Sequence, residues 1–349
     1  MQKSFTIKDV AGLAGVSTAT VSLVVNRKEG VKPQTRDKVL RAIERLNYTP
    51  NVSARKLIDQ KSRTIGLVVT DITNPFFGSI VSEVDSCVSE RGYSLSLAVS
   101  NDSMLSESKC IKRFQGERAE GIIIIPSINA DFSLAYYDHL DVPFVFMTTF
   151  YENIASDCVM CDLRKGSYLL TKYCLEKGRR KIFFVGGEPE AAFTRLRIEG
   201  YLQAYEESGY PNAREWIINI FPDEKAKSQL LSSSGHSISS HYLCGYNAAG
   251  SIISANPDTI LTVNDQVAMG ALKCLKDHGI RVPQDVWLAG YDDVMYASLL
   301  ETPLTTVRQP IREMAEKTVE VLFKRMETNN RPMKTYFVEP VLKLRSTTE

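Results

Sequence analysis

"TIKDVAGLAGVSTATVSLVVN", Thr6 to Asn26, reads as two short helices joined at a glycine. Ile7, Val10, Ala11 and Ala14 recur at helical spacing and form one apolar face. Thr6 is placed to cap the first helix, with Asp9 three residues on as a shortened capping box. Gly15 and Val16 make a tight corner, and Ser17 caps a second helix that turns Val21, Val24 and Val25 inward. Its other face carries Thr18, Ala19, Ser22 and Leu23, all small or uncharged. Two helices joined by a turn of a few residues containing a glycine fit a helix-turn-helix.

The surroundings favour a nucleic-acid role over a plain buried helix. "KPQTRDKVLRAIERLNY" (Lys32 to Tyr48) adds a third amphipathic helix through Val39, Ala42, Ile43 and Leu46, and Pro50 stops it. Residues 1–63 hold thirteen Lys and Arg against five Asp and Glu, a net charge of +8 within a chain whose total is +1. A basic head on an acidic body suits a polyanionic partner. Asn51 can cap a helix of about two turns in "NVSARKLIDQKSR", a length that is marginal alone in water.

From Thr64 onward the rhythm changes. "TIGLVVT", "SLSLAVS", "GIIIIP", "PFVFMT", "KIFFVGG", "WIINIF", "TILTV" and "VWLAGY" alternate with helical stretches. This βαβ pattern predicts parallel sheets with helices on both faces. A stretch of this length exceeds one doubly wound domain, so two α/β lobes are expected, with a ligand cleft between them. The expected domains are a head over 1–50, a hinge over 51–63 and a ligand-binding body over 64–349. Within the body, lobe 1 is expected near 64–161 and 292–325, and lobe 2 near 162–291 and 326–349.

No apolar run is long enough to span a bilayer. The charged N-terminus "MQKSFTIKDV" has no apolar signal core, and the seven cysteines are scattered. Both point to a reducing, cytoplasmic setting. Cys158 and Cys161 have metal-pair spacing, but they sit in a strand and no second pair follows. Gly186 and Gly187 lack a phosphate-loop context, and "SSSGHSISSH" (Ser232 to His241) lacks a nucleophile elbow. No metal, no cofactor and no enzymatic activity are expected. A transport-type sugar-binding protein fits poorly with a basic helical head.

"TIKDVAGLAGVSTATVSLVVN" and "VKPQTRDKVLRAIERLNYTPNVSARKL" resemble the DNA-binding head and hinge of LacI-type bacterial transcription repressors. "IGLVVTDITNPFFGSIVSEVD", "LRIEGY", "VNDQVAMGAL" and "GYDDVMYASLLETPLTTVRQP" resemble that family's effector domain. The likeness runs over nearly the whole chain. It implies a small all-α helix-turn-helix head on a two-lobed α/β body built like a periplasmic binding protein. It also implies a homodimer or a higher assembly of dimers, a palindromic double-stranded operator, and a small effector, most often a sugar or nucleobase. "TRLRIEGY" and Leu23 further resemble the maltose-regulon repressors.

The resemblance assigns base reading to Thr18, Ala19 and Leu23. Leu23 can offer only apolar contact, such as to a thymine methyl. Ser17, Thr20, Thr35 and Asn26 suit phosphate contacts, as does Thr6 at a helix N-terminus, and Ser22 shares the outward face. Leu57 matches the family's minor-groove wedge, with Ala54 and Arg55 beside it. In the body, Arg197 and Asp265 match effector-holding positions, where a guanidinium and a carboxylate suit hydroxyls or ring nitrogens. Asn74 and Phe76 stand at another strand end, and Phe221 is a second stacking candidate. The family often places an aspartate where this chain has Thr148, which removes one charged acceptor from the expected pocket.

Overall fold

The computed structural model describes residues 5–25, 29–48, 62–127, 136–137, 140–188, 191–210, 213–220, 240–328 and 332–349. Asn26, Ala54, Arg55, Leu57 and Phe221 lie outside the described residues. The chain divides into two units, Met1–Ser62 and Arg63–Glu349.

In the first unit, α1 (Ile7–Ala14) and α2 (Thr18–Val25) meet at 103°, and α3 (Pro33–Arg45) packs on both. Asp9 closes the start of α1 by accepting the Thr6 N–H and hydroxyl at 2.7 Å each. Gly15 ends it at φ 65°, a left-handed corner that favours glycine. Val10, Ala11, Val21, Val24, Val39 and Ala42 form the core. Burying each of those valines contributes about 1.5–3 kcal/mol.

The second unit contains two parallel sheets. The larger has the order β11-β5-β4-β3-β1-β2. These strands are β1 (Thr64–Val69), β2 (Ser94–Val99), β3 (Gly121–Ile124), β4 (Phe144–Met147), β5 (Asp157–Cys161) and β11 (Thr335–Val338). Helices α4 (Pro75–Glu90) and α5 (Met104–Gly116) connect its first strands, and α10 (Ile311–Glu327) packs over β3, β4 and β5. β1 is buried at every residue, as a strand covered on both faces must be. The smaller sheet has the order β7-β6-β8-β9. Its strands are β6 (Ile182–Gly186), β7 (Ile217–Asn219), β8 (Thr259–Thr262) and β9 (Trp287–Ala289). It is served by α6 (Leu163–Glu176), α7 (Ala192–Glu207), α8 (Ser240–Ile252) and α9 (Asp265–Asp277). Gly200 lets α7 approach α6, since a Cβ there would stand 2.0 Å from the Arg164 carbonyl oxygen. An antiparallel pair, β10 (Thr306–Arg308) with β12 (Val341–Lys343), completes the unit. Among the described residues no single helix is long and apolar enough to cross a membrane.

The lobe boundaries differ from the sequence expectation at the C-terminal end. Residues 326–349 are divided between the sheets rather than belonging to lobe 2. β11 pairs with β5 in the larger sheet. The Lys334 N–H donates to Asp157 Oδ1 at 3.0 Å beside that pairing, and Arg325 Nε donates to Oδ2 of the same buried carboxylate at 2.6 Å. Residues 292–308 also depart from lobe 1. The bridge Ala289↔Thr305 ties them to β9 of the smaller sheet, and Asp292↔Arg308 closes the segment on itself.

Candidate functional site

In each sheet the strand order reverses at one place, between β1 and β3 in the larger and between β6 and β8 in the smaller. Strand connections diverge there and leave a crevice at the carboxyl ends. A cavity of about 340 Å³ opens at both crevices. Thr70 and Asp71 follow β1, Ile125 and Pro126 follow β3, Gly187 and Glu188 follow β6, and Val263 and Asn264 follow β8. The cavity lies at the lower end of the range for small-molecule sites, about 300–1,000 Å³.

Four of the six expected effector residues line this cavity: Asn74, Phe76, Thr148 and Arg197. Asn74 caps α4, its Oδ1 accepting the Phe76 N–H at 3.0 Å. Phe76 and Phe77 pack edge to face at 5.4 Å and give the larger-sheet wall an aromatic patch. Thr148 holds φ 70°, rare for a β-branched residue, and its N–H donates to the Val159 carbonyl. Backbone held in such a region costs about 1–3 kcal/mol and concentrates at functional sites.

Asp265 stands outside the cavity wall, contrary to expectation. It is fully buried, its carboxylate accepting the Thr306 hydroxyl at 2.6 Å and the Val294 N–H at 2.8 Å. The helix start explains this. Asn264 is the N-cap of α9, faces the cavity and accepts the Val267 N–H, whereas Asp265 is the first helical residue and turns away toward β10. Burial, and then the nearby Asp292, push the Asp265 carboxyl well above the usual range.

Asp292, Gln309 and Arg197 form the polar centre of the smaller-sheet wall. Arg197 Nη1 donates to the Val263 carbonyl at 2.6 Å, and Nη2 approaches Asp292 Oδ1 at 3.4 Å. The guanidinium lies over the Tyr291 ring at 4.0 Å, and its Nε–H is buried without a partner. Gln309 Nε2 donates to Asp292 Oδ1 at 2.7 Å, leaving Gln309 Oε1 buried and unpartnered. Burial raises the Asp292 carboxyl to about 6 against the lowering pull of Arg197 and Gln309. Asp292 and Asp293 take φ values of 113° and 57°, and Asp293 is clamped by Arg308 and Arg345 at 2.6 Å each.

Sequence reasoning did not nominate Asp71, Asn101, Asp102, Glu188, Asn264, Asp292 or Gln309, all of which line the cavity. The signal was available: these residues stand within three positions of a strand's carboxyl end. Cys158 and Cys161 are both buried in β5, where burial pushes the Cys161 thiol up to about 12. Such thiols are inert rather than reactive.

In the head, α2 exposes Thr18 and Ala19, half-buries Thr20, Ser22 and Leu23, and buries Val21 and Val24. Ser17 Oγ accepts the Thr20 N–H at 3.2 Å and so caps the helix. Thr35, in the first turn of α3, is half-buried, and Thr6 is exposed. The exposed first turn of α2 beside buried valines is the arrangement by which a recognition helix presents its N-terminal residues to a groove.

Residues 6–51 match the sequence profile of bacterial regulatory proteins of the lacI family, and residues 171–348 match that of the periplasmic binding protein-like domain. The HTH-type transcriptional repressor PurR of Vibrio vulnificus is 31% identical over 98% of each chain. The ribose operon repressor of Haemophilus influenzae is 30% identical over 97% of each. Among solved structures, the transcriptional regulator CelR in complex with cellobiose superposes with a TM-score of 0.71 at 26% identity, over 98% of this chain and 99% of that one. The Lac repressor dimer bound to operator and the anti-inducer ONPF superposes at 0.82 over 99% of each chain, and at 24% identity it attests the fold.

Proposed function

This chain belongs to the lacI family of bacterial regulatory proteins, and on that premise we propose that a saccharide bound in the cavity sets the grip of the head on operator DNA. The chain is a DNA-binding transcriptional repressor and not an enzyme. It acts as a homodimer on a palindromic operator, each head taking one half-site, and it works in the cytoplasm, where that DNA is. The observation that carries the reading is the meeting of two sheet switch points at one cavity, with Arg197, Asp292 and Gln309 on one wall and Asn74, Phe76 and Thr148 on the other.

A ligand can shift a conformational equilibrium only through unequal contacts with the two states. A saccharide spanning both walls does this. Its hydroxyls donate to Asp292 and Gln309 Oε1 and accept from Arg197, while a ring face lies on the phenylalanines. Joining the walls changes how the lobes sit, and effector and operator affinities are linked reciprocally. In the head, Thr18, Ala19 and Leu23 read by methyl contact and shape, Thr6, Ser17, Thr20, Ser22 and Thr35 serve backbone contacts, and Asn26, Ala54, Arg55 and Leu57 extend the grip. Cellobiose in CelR and ribose in the name of the Haemophilus relative support a sugar of one or two rings.

The test has two arms. An operator selected in vitro from random duplexes is titrated with the chain at rising salt, and affinity falls steeply as counterions are released. Maltose, cellobiose and D-ribose are then screened for a rise in thermal midpoint. No duplex retained at low salt sinks the repressor reading. No stabilisation by any of the sugars sinks the saccharide.

A further inference from the structure

We propose that Glu107 is a positioning residue for the cavity, holding the carboxyl ends of β2, β3 and β4 in one arrangement through a cage of phenol donors. The proposal rests on the cavity being the effector site, as argued above. Glu107 lies one turn into α5, is fully buried and is not among the residues that line the cavity. Its Oε2 accepts the Ser127 N–H at 2.7 Å. Its Oε1 accepts the Tyr136 hydroxyl at 2.5 Å and the Tyr137 hydroxyl at 2.7 Å. The Tyr151 hydroxyl stands 3.1 Å from Oε2 and 3.0 Å from the Ser127 carbonyl, so one proton serves both.

Ser127 and Tyr151 belong to segments that supply cavity wall, and Tyr136 and Tyr137 complete the cage. Ser127 directly follows Ile125 and Pro126 at the end of β3. Tyr151 follows Thr148 and Thr149 at the end of β4. Glu107 itself is tied to the end of β2, since its N–H donates to the carbonyl of the cap Ser103, and the Ser103 N–H donates to the Ser100 carbonyl. Asn101 and Asp102 of that loop face the cavity. The Ser100 and Ser127 hydroxyls add a cross-link at 3.0 Å between the β2 and β3 ends. The Glu107 side chain therefore braces the β3 and β4 ends against the start of α5, which the backbone joins to the β2 end, and the Ser100–Ser127 link runs beside it.

The chemistry of the cage suits fixed geometry. A carboxylate has about four acceptor directions, and here hydroxyls and a backbone amide fill them. Burial first, and the Glu107 charge next, push the Tyr136, Tyr137 and Tyr151 phenols up, which keeps their protons on and their hydroxyls donating. Glutamine would offer one acceptor oxygen where glutamate offers two, and its amide hydrogens would face donors. The segment held at Tyr151 includes Thr148, whose left-handed backbone needs surrounding contacts to persist.

The experiment follows amide hydrogen exchange in the full chain, comparing wild type with Glu107→Gln, Tyr136→Phe and Tyr151→Phe. Glu107→Gln is expected to speed exchange about tenfold at 100–103, 125–127 and 148–151, the scale of a buried charged hydrogen bond left unmet. The smaller sheet and the head should be unchanged. Tyr151→Phe should loosen chiefly 148–151, which keeps the proposal testable if Glu107→Gln folds poorly. Whichever of maltose, cellobiose or D-ribose binds wild type should bind Glu107→Gln about tenfold more weakly while unliganded operator affinity holds, a split that general destabilisation would not produce. Unchanged exchange at the three loops, an equal rise throughout the larger sheet, or loosened loops with unchanged sugar affinity would each overturn the proposal. If none of the three sugars binds wild type, the saccharide reading fails, and the exchange pattern still decides the role of Glu107.

Discussion

The carboxylates on and behind the two walls of the cavity are held in opposite ways. On the larger-sheet side, Glu107 is surrounded by phenols and an amide. On the smaller-sheet side, Asp292 faces Arg197, and Asp293 faces Arg308 and Arg345. The phenols that hold Glu107 are themselves buried or half-buried. The Arg197–Asp292 contact of 3.4 Å is longer than a strong charge-assisted bond, about 2.7–2.9 Å, so both groups keep capacity for a ligand. The first wall is a frame and the second is the responsive side.

The comparison can be broken most directly at Arg197. Arg197→Ala leaves Asp292 buried without its guanidinium and should cost about 3–5 kcal/mol in urea unfolding at neutral pH, the range for breaking a buried pair. A loss under about 1 kcal/mol, the scale of an exposed pair, would mean that the ion pair does not organise the smaller-sheet wall. Gly290→Ala comes next. Its Cβ would stand 2.2 Å from Asp265 Oδ1, a carboxylate already held by Thr306 and Val294. Overpacking of this kind costs about 1–3 kcal/mol, read as a lowered denaturation midpoint. An unchanged midpoint would show that Asp265 yields freely.

The pH profile sharpens the contrast further. Asp292 titrates near 6 in the folded chain, above its ordinary value of 3.8. The folded chain therefore keeps a proton that the unfolded chain gives up. The stability it contributes is whole below about pH 4 and is lost as pH rises through about 6. Asp265, raised for the same reason, acts in the same direction. Asp292→Asn should flatten this part of the profile when thermal midpoints are compared between pH 4.5 and 6.5, and an identical slope would remove Asp292 from the account. The smallest effect is expected from Tyr151→Phe, about 1 kcal/mol for one hydrogen bond. Because the phenol stays protonated, that loss should be the same at both pH values.

Much of this arrangement is legible in the sequence, for a physical reason. All eight β-rich runs coincide with β1 to β4 and β6 to β9; an inner strand such as β1 is apolar throughout because both its faces are covered, while the edge strands β2 and β7 are partly exposed. "TVR", "TYFV" and "VLK" carry no such signature. They are short, lie at edges or between sheets, and find partners far away in sequence. The lobe boundaries were misplaced for the same reason, since the Lys334–Asp157 bond beside the β11–β5 pairing spans 177 residues. Within the cavity, Arg197 was recognisable from its motif. Asp265 and Asn264 could not be told apart by motif alone, because a one-residue difference at a helix start decides which side chain faces the ligand.

The body passes from one sheet to the other at Asp162, at Gln309–Pro310 and at Glu339–Pro340. These passages are fastened to one another: the Asp162 N–H donates to the Val338 carbonyl, and β10 pairs with β12 on either side of the other two. A single tether would let the lobes swivel freely. Three joined straps behave as a leaf spring, soft to bending across their width and stiff to twisting. Any relative motion of the two sheets therefore has to bend all three passages at once.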